Sequence, residues 1–409
     1  MSHILPVDTK VIAYFDAPST PVFLLNDPVK GKLDDATYVL AGDIATDITA
    51  DVTSVSVWRG RSRWLDSINA GTASFTVQNL TRDFDPFGGG TYSSDMVPGK
   101  RVTIEVGETP IFDGTVDDWD VAYTIGGYST ASAVVSDALS DLSRQTLTAN
   151  TATSQLSGAR VEAILNRAEV DFPAGSRNID AGLETLQADT IDAGTNALDY
   201  LKLVTETESG RLFVTAEGVL TFQERSTPVP SADVLLFADN GTGIPFDHIE
   251  IQVGSELLYN RATVTRREGL VQTNDNADSQ TLYGIRSIDV SGLLFNSDGA
   301  AANLAEQLVN RYGDPSPRFS QLGVNVGALT ITQAIEVSTV ELGELLKVRF
   351  APPGGGAAIE QYGVVEGIKH KVGIDSHAIS FSLSSLTGVP FVLDDVVLGV
   401  LDGGSTLGY

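Results

Sequence analysis

The chain has 409 residues, enough for about two to four domains on the usual scale. Lys+Arg 26 against Asp+Glu 53 leaves a formal net charge of −27, which argues against nucleic-acid binding and adhesion to anionic membranes, since both need basic patches. With no cysteine, disulfides, thiolate nucleophiles, iron–sulfur clusters and cysteine-held zinc are excluded.

From the amino terminus, Pro6 and Asp8 interrupt the first stretch and no basic cluster precedes an apolar run, so no secretory signal is expected. Residues 1–48 read as an extension carrying a short hairpin motif, in which Phe23, Leu25, Val29 and Leu33 alternate with Asp27, Gly31 and Asp34 nearby. Residues 49–148 read as a first β domain. Over 72–78, Ala73, Phe75 and Val77 face one way and Thr72, Ser74, Thr76 and Gln78 the other, while Val102, Ile104 and Val106 alternate with polar residues in the next strand. Ahead of these, Arg59, Arg61 and Arg63 share one face if the segment is extended. Three guanidinium groups in so acidic a chain point to a clamp on the carboxylates of a neighbouring subunit. An intrachain partner such as the Asp83 and Asp85 turn, or plain solvent, is the alternative.

Residues 149–250 change character and predict a small α/β insertion. Val161, Ile164, Leu165 and Ala168 fall at helical spacing after Ser157, the predicted cap, and Leu198, Leu201 and Val204 do so after Thr195. A hairpin follows over 211–223 around the turn at Ala216 and Gly218. Residues 251–388 predict a second β domain, with strands at 259–265, 346–350 and 378–383 and one helix over 300–312 that Gly313 and Pro315 end. The run Gly354-Gly355-Gly356 reads as a hairpin tip. Residues 389–409 form a tail in which Phe391, Leu393, Asp395, Val397, Gly399, Leu401 and Asp402 repeat the N-terminal motif without a gap. Asp394 and Asp395 break its apolar run, and no segment offers the roughly 20 apolar residues that a membrane helix needs.

Two repeats therefore emerge. In the larger one Gly99, Val102, Ile104 and Val106, then Gly114-Thr115-Val116-Asp117, then Leu139-Ser140-Asp141-Leu142 match Gly343, Leu346, Val348 and Phe350, then Gly363-Val364-Val365-Glu366, then Leu383-Ser384-Ser385-Leu386. The smaller, terminal repeat is expected either to pair with an exposed sheet edge of a neighbour or to staple onto its own body.

Chemistry-bearing motifs are thin. Asp and Glu are abundant, but no pair is singled out by spacing for glycosidase work. His3, His248, His370 and His377 make no H-E-x-x-H pattern, and the last two fall on predicted strands at partly exposed positions. Asn274, Asn276 and Asp278 begin like a calcium loop, yet Ser279 stands where Gly is required and Ile285 at the twelfth place, so a polar loop is expected. Pro98-Gly99-Lys100 lacks the rest of a phosphate loop, and no G-x-S-x-G elbow occurs. No catalytic, cofactor-binding or metal-ligating residue is assigned, and the chain reads as a non-enzyme.

The stretch Trp58-Arg59-Gly60-Arg61-Ser62-Arg63-Trp64-Leu65-Asp66, through Ala70-Gly71-Thr72-Ala73 to Arg82-Asp83-Phe84-Asp85-Pro86, resembles minor tail proteins of actinobacteriophages. Asn196-Ala197-Leu198-Asp199-Tyr200-Leu201 followed by Glu208-Ser209-Gly210-Arg211-Leu212-Phe213 is similar to the central part of the baseplate or tail-tip hub members. The resemblance implies a mainly β fold, with two related tube-like β-barrel or sandwich domains and a small α/β insertion between them. It also implies a homotrimeric ring in the virion tail tip, made in the bacterial host cytoplasm, with the distal tail protein and other minor tail proteins as partners. Two related β domains in each of three subunits would set six similar units around one axis, matching a six-fold tube on one side and three-fold parts on the other. An acidic lumen would let DNA pass without sticking. A hexameric distal tail ring protein is the structural alternative. From other classes, the alternatives are a tail-associated cell-wall hydrolase and a receptor-binding protein; the second needs aromatics exposed in a groove, whereas Trp58, Trp64 and Trp119 lie in or beside strand-rich segments.

Overall fold

A computed structural model describes residue 5 and residues 9–15, 44–87, 89–125, 127–225 and 234–385. Both copies of the terminal motif, including Phe23, Leu25, Val29, Leu33, Phe391, Leu393, Val397 and Leu401, lie outside the described residues.

The alternating segments become one large, mainly antiparallel sheet. Its first half contains β1 (Thr9–Phe15), β2 (Ile44–Asp47), β3 (Val52–Gly60), β4 (Asn69–Gln78), β5 (Arg101–Val106), β6 (Thr109–Ala122) and β7 (Thr130–Ser136). Its second half contains β8 (Leu235–Ala238), β9 (His248–Gln252), β10 (Arg318–Asn325), β11 (Leu345–Phe350), β12 (Ile359–Gly373) and β13 (Ser376–Ser385). The order is β9-β10-β13-β12-β3-β4-β7-β6-β5-β1-β2, with β11 on the near part of β12 and β8 on β11. β1 and β2 thus belong to the first half although they precede residue 49, and β8 and β9 join the second although they precede residue 251. Pairing partners, not composition, decide where each strand goes.

The halves repeat each other in register. Val102 lies opposite Gly114 as Leu346 lies opposite Gly363. A bulge then sets Asp117 outside the β6–β7 ladder and Glu366 outside the β12–β13 ladder. Gly99 (φ 88) donates its N–H to the Val116 carbonyl at 2.8 Å, and Gly343 (φ 85) does the same to Val365 at 2.8 Å. That left-handed backbone is why a glycine starts each copy. Beyond the bulge, β4 flanks β7 with Ser74 opposite Val134, and β10 flanks β13 with Gln321 opposite Ser382. The third landmark of the sequence repeat does not hold. Leu139 and Leu142 lie on helix α1 (Ala138–Arg144), whereas Leu383 is on β13; the true counterpart of Ser384 is Ser136, after which Asp137 caps a helix.

The insertion packs α2 (Ser157–Leu165) and α3 (Ala197–Glu208) beside the hairpin Arg211–Val214 and Leu220–Gln223. Asn196 caps α3 through its side chain, but Ser157 is not the cap of α2: it is the first helical residue, and its hydroxyl donates to Glu208 at 2.6 Å. Leu165, Leu201, Val204 and Phe222 share one core with Val348, Val365 and Phe381, so the insertion has no separate interior from the second half. A further unit was not legible in the sequence. The strand Arg261–Arg266 leaves the large sheet to form a three-stranded one with Gln272–Asp275 and Ser287–Leu293, covered by α5 (Asp298–Tyr312). The expected polar loop here is an N-cap instead, because the Asn276 side chain accepts from Ser279 N–H and starts α4 (Ala277–Tyr283). Helix α6 (Ile331–Ser338) carries a Thr330 and Gln333 capping box before β11.

Candidate assembly interface

The two halves meet where β3 runs antiparallel to the far part of β12, from Gly60 opposite Gly367 to Ser54 opposite Gly373. The predicted arginines stand at this seam. Arg59 is 2% exposed and Arg61 9%, so both point into their own subunit. Arg59 pairs with Glu341 at 2.6 Å, and Arg61 Nε donates to Glu366 at 2.8 Å. Neither can clamp a neighbour's carboxylate, because strand pairing with β12 has closed over them; the partners are also Glu341 and Glu366, not the Asp83 and Asp85 turn, where Arg82 pairs with Asp85. Arg63, two residues further along, emerges at the surface and pairs with the exposed Glu256 at 2.5 Å.

Glu366 is the hub of this seam. Its bulged position turns the carboxylate toward Arg61, Arg211 at 3.1 Å and the Ser384 hydroxyl at 2.7 Å. Burial pushes its pKa up, but the two arginines and the serine outweigh that and hold it below the ordinary value. The repeat places Asp117 in the same topological position, where it accepts from Ser136 and pairs with Arg144 in a far more exposed setting. Next to Arg59, Asp137 receives the N–H groups of Gly71 at 2.7 Å and Leu139 at 2.9 Å, while burial drives its pKa up to about 7.

His370 and His377, expected at partly exposed positions, are buried at 1% and 0% exposure, with His370 Nδ1 3.2 Å from His377 Nε2. Burial, the facing His377 and nearby Arg59 hold the His370 pKa well below its ordinary value, and burial lowers that of His377 to about 4. His248 is exposed on β9 beside Glu250. Among the described residues no group of three potential metal ligands occurs.

One face of the second half of the sheet opens into a cleft of about 710 Å³, lined by Trp58, Arg63, Trp64, Arg311, Arg318 and Lys369 among others. Arg311 lies 4.7 Å over the Trp64 ring and Arg318 5.4 Å over Tyr312. Among the described residues Arg311, Arg318 and Lys369 have no carboxylate partner. The same cleft carries Glu250 and Glu256, so four cations face two carboxylates there, an excess of positive charge in a chain of net charge −27. Among the strand edges that lack a partner in the described residues are the outer side of β9 and the far part of β6 from Asp118 onward, on the side where β5 has ended. Apolar side chains stand exposed on these edges or one residue past their ends, with Tyr123 at 52%, Ile251 at 39% and Val253 at 65%. Trp119 packs edge-on against Phe75, 5.6 Å between ring centroids, and is half-buried.

No protein-family model and no curated protein matches this sequence. Among solved structures the chain is similar to the tail protein from Neisseria meningitidis MC58, at 12% identity over 84% of this chain and 94% of that one, with a TM-score of 0.59. It is also similar to the 43 kDa tail protein of prophage MuSo2 from Shewanella oneidensis, at 15% identity over 84% of this chain and 96% of that one, with a TM-score of 0.56. At these identities the likeness establishes a shared fold, which is that of tail proteins.

Proposed function

We propose that this chain is a structural hub of a bacteriophage tail tip, in which three copies form a ring of pseudo-six-fold symmetry around the DNA path. The observation that carries the reading is the duplicated sheet module, repeated down to its pairing register, its bulge and its initiating glycine. A chain holding two such modules needs three copies to present six. The fold shared with two tail proteins supports a place in the virion tail. On one side the ring would join the tail tube or distal ring protein, and on the other the three-fold tip or fibre proteins. Arg63 at the surface and the terminal motifs are the proposed contacts with neighbours. The role is geometric, not catalytic, and the net charge of −27 keeps the passage non-adhesive to DNA.

The mass of the intact assembly tests this directly. Three copies are expected. Six copies would favour the hexameric distal ring, and a single copy at micromolar concentration would remove the ring.

A further inference from the structure

The seam between β12 and β3 inside the chain has a counterpart between chains. Register equivalence carries β12 onto β6, so that Gly367 corresponds to Asp118, because each follows a bulge and lies opposite Ser382 or Val134. It carries β3 onto β9, so that Val55 corresponds to Ile249, because they lie opposite the equivalent residues Phe75 and Leu322. The sequences agree: Val55-Ser56-Val57-Trp58-Arg59-Gly60 and Ile249-Glu250-Ile251-Gln252-Val253-Gly254 share an apolar residue at the first and third places and Gly at the sixth. Inside the chain, β12 of the second half is joined to β3 of the first. The remaining β6 and β9 edges both lack partners among the described residues.

We infer that the β6 edge of one copy pairs antiparallel with the β9 edge of the next, in the register that puts Tyr123 opposite Ile249, Val121 opposite Ile251 and Asp120 opposite Gln252. The inference rests on the ring reading and specifies its contact. Transferring the internal register, in which Val372 faces Val55 and Lys369 faces Trp58, and counting along β9 from Ile249 gives this alignment; the irregularity after Glu250 leaves its extra residue, Ser320, on β10 and not on β9. Its side chains then match. On one face Trp119, Val121 and Tyr123 meet Val253, Ile251 and Ile249, so that the exposed Tyr123, Ile251 and Val253 are covered by the half-buried Ile249, Val121 and Trp119 of the facing edge. On the other face Asp118 and Asp120 meet Gly254 and Gln252, with no like charges opposed, and they reach the rim of the cleft that holds Arg311 and Arg318 without acidic partners. A slip by one residue would turn Tyr123 away from the apolar face and set Asp118 toward Val253. The contact is head-to-tail, so it propagates around an axis until the ring closes.

The chain has no cysteine, so engineered thiols report on this contact alone. The variants are Tyr123→Cys/Ile249→Cys and Val121→Cys/Ile251→Cys, with Tyr123→Cys/Val253→Cys as an out-of-register control whose Cα atoms would lie far beyond the ~7 Å that a disulfide can span. Mild oxidation should give a ladder ending at three linked chains on a non-reducing denaturing gel for the first two, at least tenfold above the control. A three-copy mass with neither in-register pair linked, or with the control linked equally, overturns the edge pairing and leaves the ring reading standing. A one-copy mass without links overturns both.

Discussion

At the scale of single residues the seam makes opposite demands on equivalent acids. Glu366 is buried between Arg61 and Arg211, and removing one partner of a buried ion pair typically costs about 3–5 kcal/mol because the other charges stay desolvated. Glu366→Gln is therefore expected to lower stability by about 3 kcal/mol in denaturant unfolding. Asp117→Asn, at the repeated position but facing the largely exposed Arg144, should cost under about 1 kcal/mol. Equal losses at both sites would refute this account of the seam. The buried histidines give a second prediction. A pKa lowered from 6.5 to about 4 at His377 means that the unfolded chain takes up a proton more readily than the folded one. The stability this group contributes is present above about pH 6.5 and is lost as pH falls toward about 4, with roughly 2 kcal/mol gone at pH 5. Asp137 acts in the opposite sense: raised to about 7, its contribution is present below its ordinary value and fades as pH rises through about 7. Comparing wild type with His370→Leu/His377→Leu cancels that term. The double variant should lose the acid-side fall in its urea midpoint, and parallel pH profiles would contradict the assignment.

At the scale of elements, the β3–β12 seam depends on a close backbone crossing. Gly60 has φ +94, and a Cβ there would sit 2.3 Å from the Glu366 carbonyl oxygen, so main chain must move to admit it. Gly99 has φ +88 but open space around it. Gly60→Ala is expected to cost upwards of about 2 kcal/mol, against about 1 kcal/mol for Gly99→Ala, which carries the backbone strain alone. Thermal unfolding of the two variants would separate these contributions, and equal shifts would remove the crossing from the argument. The sequence displayed much of this level. Period-two alternation located β4, β5, β11 and β13, and helical spacing located α2, α3 and α5, because each of these buries one face. What it hid were relations between distant segments. Arg59 and Arg61 look like surface cations until Glu341 and Glu366 are brought beside them from 282 and 305 residues away. His370 and His377 are seven residues apart, and only the tight β12–β13 turn makes them touch. The strand Arg261–Arg266 has an ordinary alternating pattern, which says that one face is buried but not in which sheet.

At the scale of the whole molecule, charge opposes what the edges favour. Each subunit carries −27, so bringing copies together at low ionic strength works against long-range repulsion. The proposed contact itself is short-ranged: backbone ladder bonds, apolar pairs, and Asp118 and Asp120 near a cationic cleft. Raising salt from about 0.01 M to about 0.15 M shrinks the screening length from roughly 30 Å to roughly 8 Å, which removes most of the repulsion between subunit bodies while leaving contacts at a few ångströms largely intact. Ring formation should therefore strengthen across that range, by several-fold or more in the concentration at half assembly, as read by mass photometry or sedimentation. A ring held mainly by exposed ion pairs would weaken instead. The same field sets the outcome with DNA. In the proposed ring, a lumen bounded by chains of this charge would give no counterion release on meeting a duplex, so labelled DNA should show no retention at about 0.15 M salt, whereas binding that falls steeply with added salt would mean that the cleft with Arg311 and Arg318, and not the acidic surface, faces the passage.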